Sequence, residues 1–207
     1  MENNLPTGST GAGVVARAKA ILVQPKAEWP KVAAETTEPK SVLLGYAVPL
    51  AAIGPVASLI GSLAFGYDVL FTTVRPSVGF AVTTAVTSFV LSLVSLFVIA
   101  FVANALSPKF GGKNDWPAAF RLVAYSMTAA WLAGIFGLVP ALAVLSLVGL
   151  YSIYLFYAGA TPVLGIPGDK AATYTAVTVL VAIVVQIVIG AIVAAIAPTP
   201  GLSVIAG

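Results

Sequence analysis

The sequence predicts an all-α membrane protein, a bundle of five transmembrane helices with a short N-terminal cytoplasmic interfacial helical segment. The first observation is composition, because 59% of the residues are hydrophobic and only 8% are charged, whereas a soluble domain carries about 25% charged residues. The second is a set of five apolar stretches, each long enough to supply the roughly 20 residues that cross a bilayer. This composition argues against a water-soluble globule, a disordered chain and a nucleic-acid binder.

The five apolar stretches define the expected domain organisation. A transmembrane barrel would show alternating segments of about 10 residues, and these runs are longer and apolar on all sides. The expected spans cover residues 42–65, 78–106, 117–139, 141–160 and 171–197. Outside them we expect a flexible lead-in at 1–12, an interfacial segment at 13–41 and a short outer tail at 198–207.

The distribution of Lys and Arg predicts the orientation. With the N-terminus in the cytoplasm, only Arg75 of the ten basic residues lies outside. Cytoplasmic loops of membrane proteins carry an excess of basic residues, so we expect the N-terminus inside and the C-terminus outside. The inner residues are Arg17, Lys19, Lys26, Lys31, Lys40, Lys109, Lys113, Arg121 and Lys170.

Some of these basic residues, with two tryptophans, are candidates for contact with the membrane interface. They are Arg17, Lys19 and Trp29 in the interfacial segment, and Trp116 and Arg121 at the third stretch. Tryptophan combines an apolar body with an N–H donor, and Arg121 is expected to snorkel towards the headgroups. The segment either binds anionic lipid or only fixes orientation. A basic residue there contributes about 1 kcal/mol, which favours the second interpretation.

Pro49 and Pro55 are candidate helix kinks in the first stretch, because each removes a helical hydrogen bond. A helix of this kind either breaks to line a cavity or kinks while its neighbours satisfy the freed carbonyls. The frequency of proline in membrane helices favours the second interpretation.

Two stripes of small or hydrogen-bonding residues recur every four positions and permit close helix approach. They are candidates for packing within the chain or for a homo-oligomer seam, with a pore lining as a third interpretation. The stripes are Gly54, Ser58 and Ser62 in the first stretch, and Gln186, Gly190 and Ala194 in the fifth.

The side chains typical of catalysis are scarce. The chain has no Cys and no His, which removes the thiolate, the imidazole and the usual ligands of zinc and haem. No ionisable residue lies near the middle of a stretch, where ion-coupled transporters place one. We therefore expect no enzymatic activity, no catalytic residues, no cofactor and no metal.

Two parts of the sequence resemble the bacterial branch of the Yip (Yip-one domain) family of Ypt/Rab-interacting polytopic membrane proteins, over roughly residues 14–197. One is ARAKAILVQPKAEWPKVAAE followed by YAVPLAAIGPVASLIGS, and the other is LYSIYLFYAGATPVLGIPGDKAATYTAVTVLV. Eukaryotic members associate with prenylated small GTPases and with each other, and their cytosolic region carries a DLYGP-like motif. That motif is missing here, so the resemblance does not support binding of a Rab-type GTPase.

The resemblance implies a polytopic scaffold in a bacterial inner membrane. The favoured hypothesis is a non-enzymatic organiser that self-associates or binds other membrane proteins in the lipid bilayer. The alternative is a small pore or carrier for an uncharged or weakly polar solute, which needs a water-filled cavity. That cavity would be bounded by Pro49, Pro55, Thr84, Thr87 and Ser88.

Overall fold

The computed structural model describes residues 11–69, 72–196 and 203–204. Five helical segments are long and apolar enough to cross a membrane, and we number them as the first to fifth spans. They are Pro39–Phe65, Val78–Phe110, Trp116–Leu138, Pro140–Leu164 and Gly168–Ile192. The predicted fold class, a five-helix membrane bundle after an N-terminal helical segment, is confirmed. Most of the expected lead-in and outer tail lie outside the described residues, although Gly11 and Ala12 already belong to the first helix.

The N-terminal segment and first span consist of short helices. The segment contains α1 (Gly11–Val23) and α2 (Pro25–Ala34). The first span contains α3 (Pro39–Val42), a π-helical turn (Leu43–Ala47), α4 (Val48–Ala51) and α5 (Ile53–Phe65). A hairpin of β1 (Tyr67–Val69) and β2 (Thr72–Arg75) follows, and β2 also pairs antiparallel with β3 (Ser203–Val204). We call this side of the bundle the hairpin end.

The other spans differ in regularity. The second is α6 (Val78–Leu106) with a 3₁₀ turn (Ser107–Phe110), and the fifth is α10 (Gly168–Ile196). The third contains α7 (Trp116–Ser126), α8 (Thr128–Ala133) and a 3₁₀ segment (Gly134–Leu138). The fourth begins as a 3₁₀ helix (Pro140–Leu150) and continues as α9 (Tyr151–Leu164). The 3₁₀ start rises about 2.0 Å per residue, so it spans a longer distance than an α-helix with the same number of residues.

The two prolines of the first span each lie at the start of a new helical segment. Val48 donates its N–H to the carbonyl of Leu43, five residues back, and Pro49 follows as an early residue of α4. The helix is interrupted at Ala52, and Pro55 lies in the first turn of α5. The first N–H groups of a helix have no intrahelical acceptor, so proline costs little at these positions.

The first and third spans approach so closely that only glycine fits between them. A Cβ atom at Gly61 would lie 2.5 Å from the carbonyl oxygens of Gly137 and Leu138, and one at Gly134 would lie 2.7 Å from the Cα of Gly54. A Cβ at Gly137 would lie 2.7 Å from the hydroxyl of Ser58. Gly54 and Ser58 therefore pack within the chain, as small residues do in membrane helices.

The contact at Gly61 predicts a selective loss of stability. Gly61→Ala puts a methyl group against two backbone oxygens that cannot move as a side chain would, and overpacking of this kind costs about 1–3 kcal/mol. We expect a lower thermal unfolding temperature in detergent micelles. Gly79→Ala is the matched control, because Gly79 has open space beside it and also lies in a helix. Equal behaviour of the two variants would contradict the close approach.

Candidate functional site

The N-terminal helices bring a cluster of charged side chains onto the third span. Helix α2 packs mainly on α9, and α1 contacts α7 and α8. Arg17 of α1 forms ion pairs with Glu28, at 2.5 Å, and with Glu35. Lys31 pairs with the other oxygen of Glu28 at 2.8 Å. We call Arg17, Glu28, Glu35 and Arg121 the ion cluster.

The ion cluster is shielded from solvent. The side chain of Arg17 is 19% exposed, and those of Glu28 and Glu35 are 9% and 8% exposed. Arg121 is 4% exposed and donates a 3.0 Å hydrogen bond to the carbonyl of Thr37. Two guanidinium groups and two carboxylates give the cluster zero formal charge (+2 − 2 = 0), which makes its burial tolerable.

The ion cluster also reaches into the spans. The Arg17 guanidinium lies over the ring of Tyr125, 5.4 Å from its centroid, and Tyr125 makes an edge contact with Tyr46 at 4.8 Å. Tyr125 lies about 14 Å along the helix from Trp116, where α7 starts. No charged residue of the five described spans lies there, and the position of Arg17 could not be predicted from sequence, because its contact with Tyr125 joins segments distant in the chain.

Burial raises the pKa of Glu35 above its ordinary value, although the nearby Arg17 opposes that shift. Arg121 opposes it as well, and the negative charge of Glu28 adds to it. Desolvation is the largest cause, since removing a carboxylate from water disfavours its charged form. Glu35 is therefore a carboxyl group that binds its proton more tightly in the folded chain.

The candidate interface residues lie in different surroundings. Lys19 is exposed and Trp116 is half-buried, with its ring 5.9 Å from that of Phe120. Trp29 is enclosed by protein rather than headgroups, because Gly159 leaves space for its ring: a Cβ there would lie 2.8 Å from two ring carbons. Arg121 bonds to backbone within the protein instead of snorkelling. The structure thus encloses Trp29 between α2 and the fourth span, and Arg121 beside the backbone at Thr37.

A cleft of about 260 Å³ lies between the first three spans, towards the hairpin end. It contains Pro55, Thr84 and Ser88 of the cavity considered from sequence, but Pro49 and Thr87 do not line it. The stripe of the first span, Gly54, Ser58 and Ser62, also lines the cleft. One side of this stripe packs against the third span, and the side that faces the second span borders the open cleft.

The stripe of the fifth span has little intramolecular packing. Gln186 is exposed, and its side-chain oxygen accepts a long 3.4 Å hydrogen bond from Ser95 of α6. A Cβ atom at Gly190 would meet no atom of the described residues within 4 Å. The side chain of Ala194 lies outside the described residues. Gly190 therefore faces away from the other spans, whereas Gln186 lies at the edge of the contact with α6.

Five membrane-spanning helices and an N-terminal helical segment define a polytopic membrane protein. A family model, Yip1 domain, matches residues 19–190. The chain belongs to the Yip1 domain family. No curated protein and no solved structure matches it.

Breaking the ion cluster at Arg17 predicts a large loss of stability. Arg17→Met leaves Glu35 without its ion pair and Glu28 with Lys31 alone, and breaking a buried pair costs about 3–5 kcal/mol. We expect earlier thermal unfolding and faster proteolysis of α1 and α2 in lipid nanodiscs. Lys19→Met is the control, since Lys19 is exposed on the same helix. If the ion cluster does not stabilise the fold, both variants will unfold at the same temperature and resist proteolysis equally.

The raised pKa of Glu35 predicts a pH dependence of stability. Its contribution is complete below the ordinary value of 4.5 and is lost as pH rises through the folded-state pKa. Glu35→Gln stays neutral, so the wild-type protein should lose stability relative to this variant as pH rises through that window. Thermal unfolding of both proteins across a pH series measures the difference. A difference between the two proteins that stays constant across the series would refute the assignment.

Proposed function

We propose that this Yip1 domain protein is a non-enzymatic membrane scaffold that self-associates through its fifth span. The observation that supports the proposal best is the outward stripe of that span. The amide of Gln186 and the open space at Gly190 lie on one helical face, one turn apart. The oxygen of this amide accepts from Ser95, but its N–H donors gain an acceptor when another helix covers them, and glycine allows that helix to approach.

The surroundings of the stripe suit an assembly surface. Helix α10 contacts α6 and α9, and the neighbouring side chain of Ile187 is 67% exposed. Exposed apolar residues alone only indicate contact with lipid, whereas the Gln–Gly pair adds a preference for protein. Other membrane proteins could bind the same face, but a second copy of this chain presents the same amide and the same open space at Gly190.

The proposal includes the location and orientation of the chain. We place it in a bacterial inner membrane with its N-terminus in the cytoplasm and its C-terminus outside, as the excess of basic residues on one side supports. On that side the ion cluster fixes α1 and α2, and lysines such as Lys26 and Lys40 remain exposed. These lysines suit contact with anionic headgroups.

The second candidate function is a small pore or carrier for an uncharged or weakly polar solute. The cleft favours it, because hydroxyl groups from the first and second spans line a space inside the bundle. Solute flux through liposomes containing a monomeric form of the protein would favour the carrier over the scaffold.

The absence of cysteine from the sequence allows a clean test of the scaffold. Gly190→Cys should form disulfide-linked dimers in native membranes when a mild oxidant is added to take up the two electrons, because a shared seam brings the two sulfur atoms within bonding distance. Gly190→Leu should shift the oligomer towards monomer by native mass spectrometry in lipid, without unfolding, since the monomer has room for the side chain.

The matched controls are Gly79→Cys and Gly79→Leu. Gly79 also lies in a spanning helix with open space beside it, but it lacks a neighbouring amide. Neither control should form cross-links or change the oligomer. Monomeric wild-type protein in lipid, or equal cross-linking at both positions, would overturn the proposal.

A further inference from the structure

We propose that the cleft between the first three spans is a binding site for a compact neutral molecule that carries several hydroxyl groups, such as a small polyol. The site does not depend on the scaffold function, because it lies away from the stripe of the fifth span. The inference rests on the volume of the cleft, the chemistry of its walls and one buried hydroxyl group without a partner.

The volume of the cleft fits a small molecule rather than a single water. A water molecule needs about 10–15 Å³ of such space, and the cleft offers about 260 Å³. Sites for drug-sized ligands usually start near 300 Å³, so the ligand is smaller than those. Small residues such as Ala81, Ala85 and Gly134 keep the space open.

The polar groups of the walls are neutral, and all of them except the donor-only indole of Trp131 can both donate and accept hydrogen bonds. They come from all three spans and are Ser58, Ser62, Thr84, Ser88, Ser92 and Trp131. A serine or threonine hydroxyl both donates and accepts, which matches the hydroxyl groups of a polyol. The residues that line the cleft carry no charge, and an ion within the membrane without a partner is costly. The ligand is therefore neutral.

The hydrogen bonds within the walls leave capacity for a ligand. The indole N–H of Trp131 donates to Ser92 at 3.3 Å, and Ser62 donates to the carbonyl of Leu59 at 3.1 Å. The hydroxyl of Thr84 is shielded from solvent and has no partner in the described part of the chain. A buried polar group without a hydrogen bond costs about 1–3 kcal/mol. A ligand hydroxyl beside Thr84 would remove that cost.

The walls also explain why a polyol suits this cleft better than a lipid tail. An acyl chain would cover Leu59 and Pro55 but would leave the buried hydroxyl of Thr84 without a hydrogen bond. A polyol has C–H groups for the small apolar residues and O–H groups for the serines and threonines. The mixed lining therefore selects a molecule that is polar and uncharged.

Binding can be measured on the full chain in lipid nanodiscs by titration with glycerol or xylitol. The indole ¹⁵N–H signal of Trp131 reports directly, since that group lies in the wall and bonds to Ser92. Trp131→Phe identifies the signal, and the buried indole of Trp29 outside the cleft is the internal reference. We expect a saturable shift of the Trp131 signal with the polyol and none with choline or acetate.

Thr84→Val tests the role of the unpartnered hydroxyl. It should weaken polyol binding about tenfold, the effect of one lost hydrogen bond, while leaving thermal stability without polyol unchanged or higher. Thr87→Val is the matched control, because Thr87 lies on the same helix and does not line the cleft. Ala85→Leu fills the space and should abolish the saturable shift.

Three results would overturn the proposal. The first is a Trp131 signal that does not saturate with polyol, which means that the cleft holds water only. The second is equal polyol affinity of Thr84→Val, Thr87→Val and the wild-type protein. The third is a signal that responds to the acyl chains of the nanodisc and not to the polyol, which assigns the cleft to lipid.

Discussion

The attachment of the N-terminal helices depends on the pairing of charges inside a bundle that is otherwise almost free of them. Arg17 can hold two carboxylates at once because a guanidinium presents several donors in a fixed plane. This pairing lets α1 and α2 cover α7 and α9, because without it Glu35 would enter a low-dielectric environment unpaired and Glu28 would keep only Lys31. The same attachment includes the ring of Trp29 in α2, which packs directly on the backbone of α9 because Gly159 has no side chain.

The second constraint is the close approach of the first and third spans. Within lipid there is no hydrophobic driving force for helices to associate, so van der Waals contact between them must stabilise the bundle. Glycines on both spans bring the backbones near each other at Gly61 and Gly134. The same small residues leave the neighbouring cleft unfilled, because the hydroxyl-bearing face of α6 lacks large side chains there. Tight packing and open space thus have one origin in the composition of these helices.

The fifth span is the most independent part of the bundle. It is held by α6 and α9, with Tyr174 donating a 2.8 Å hydrogen bond to the carbonyl of Ala103 near one end. Towards the hairpin end its side chains are increasingly exposed, as at Leu180 and Ile187. A helix anchored at one end and open at the other can present a surface to a second protein without disturbing the ion cluster or the cleft.

The five spans and the N-terminal helical segment could be predicted from the sequence, because long apolar runs and proline positions act locally along the chain. The two stripes were also visible there, but packing could not be distinguished from assembly, since both use small residues. The folded chain shows that Gly54 packs inside while Gly190 faces out, and that Trp29 and Arg121 are buried. The ion cluster and the cleft join residues far apart in the chain, and such contacts depend on how helices pack in space rather than on spacing in the sequence.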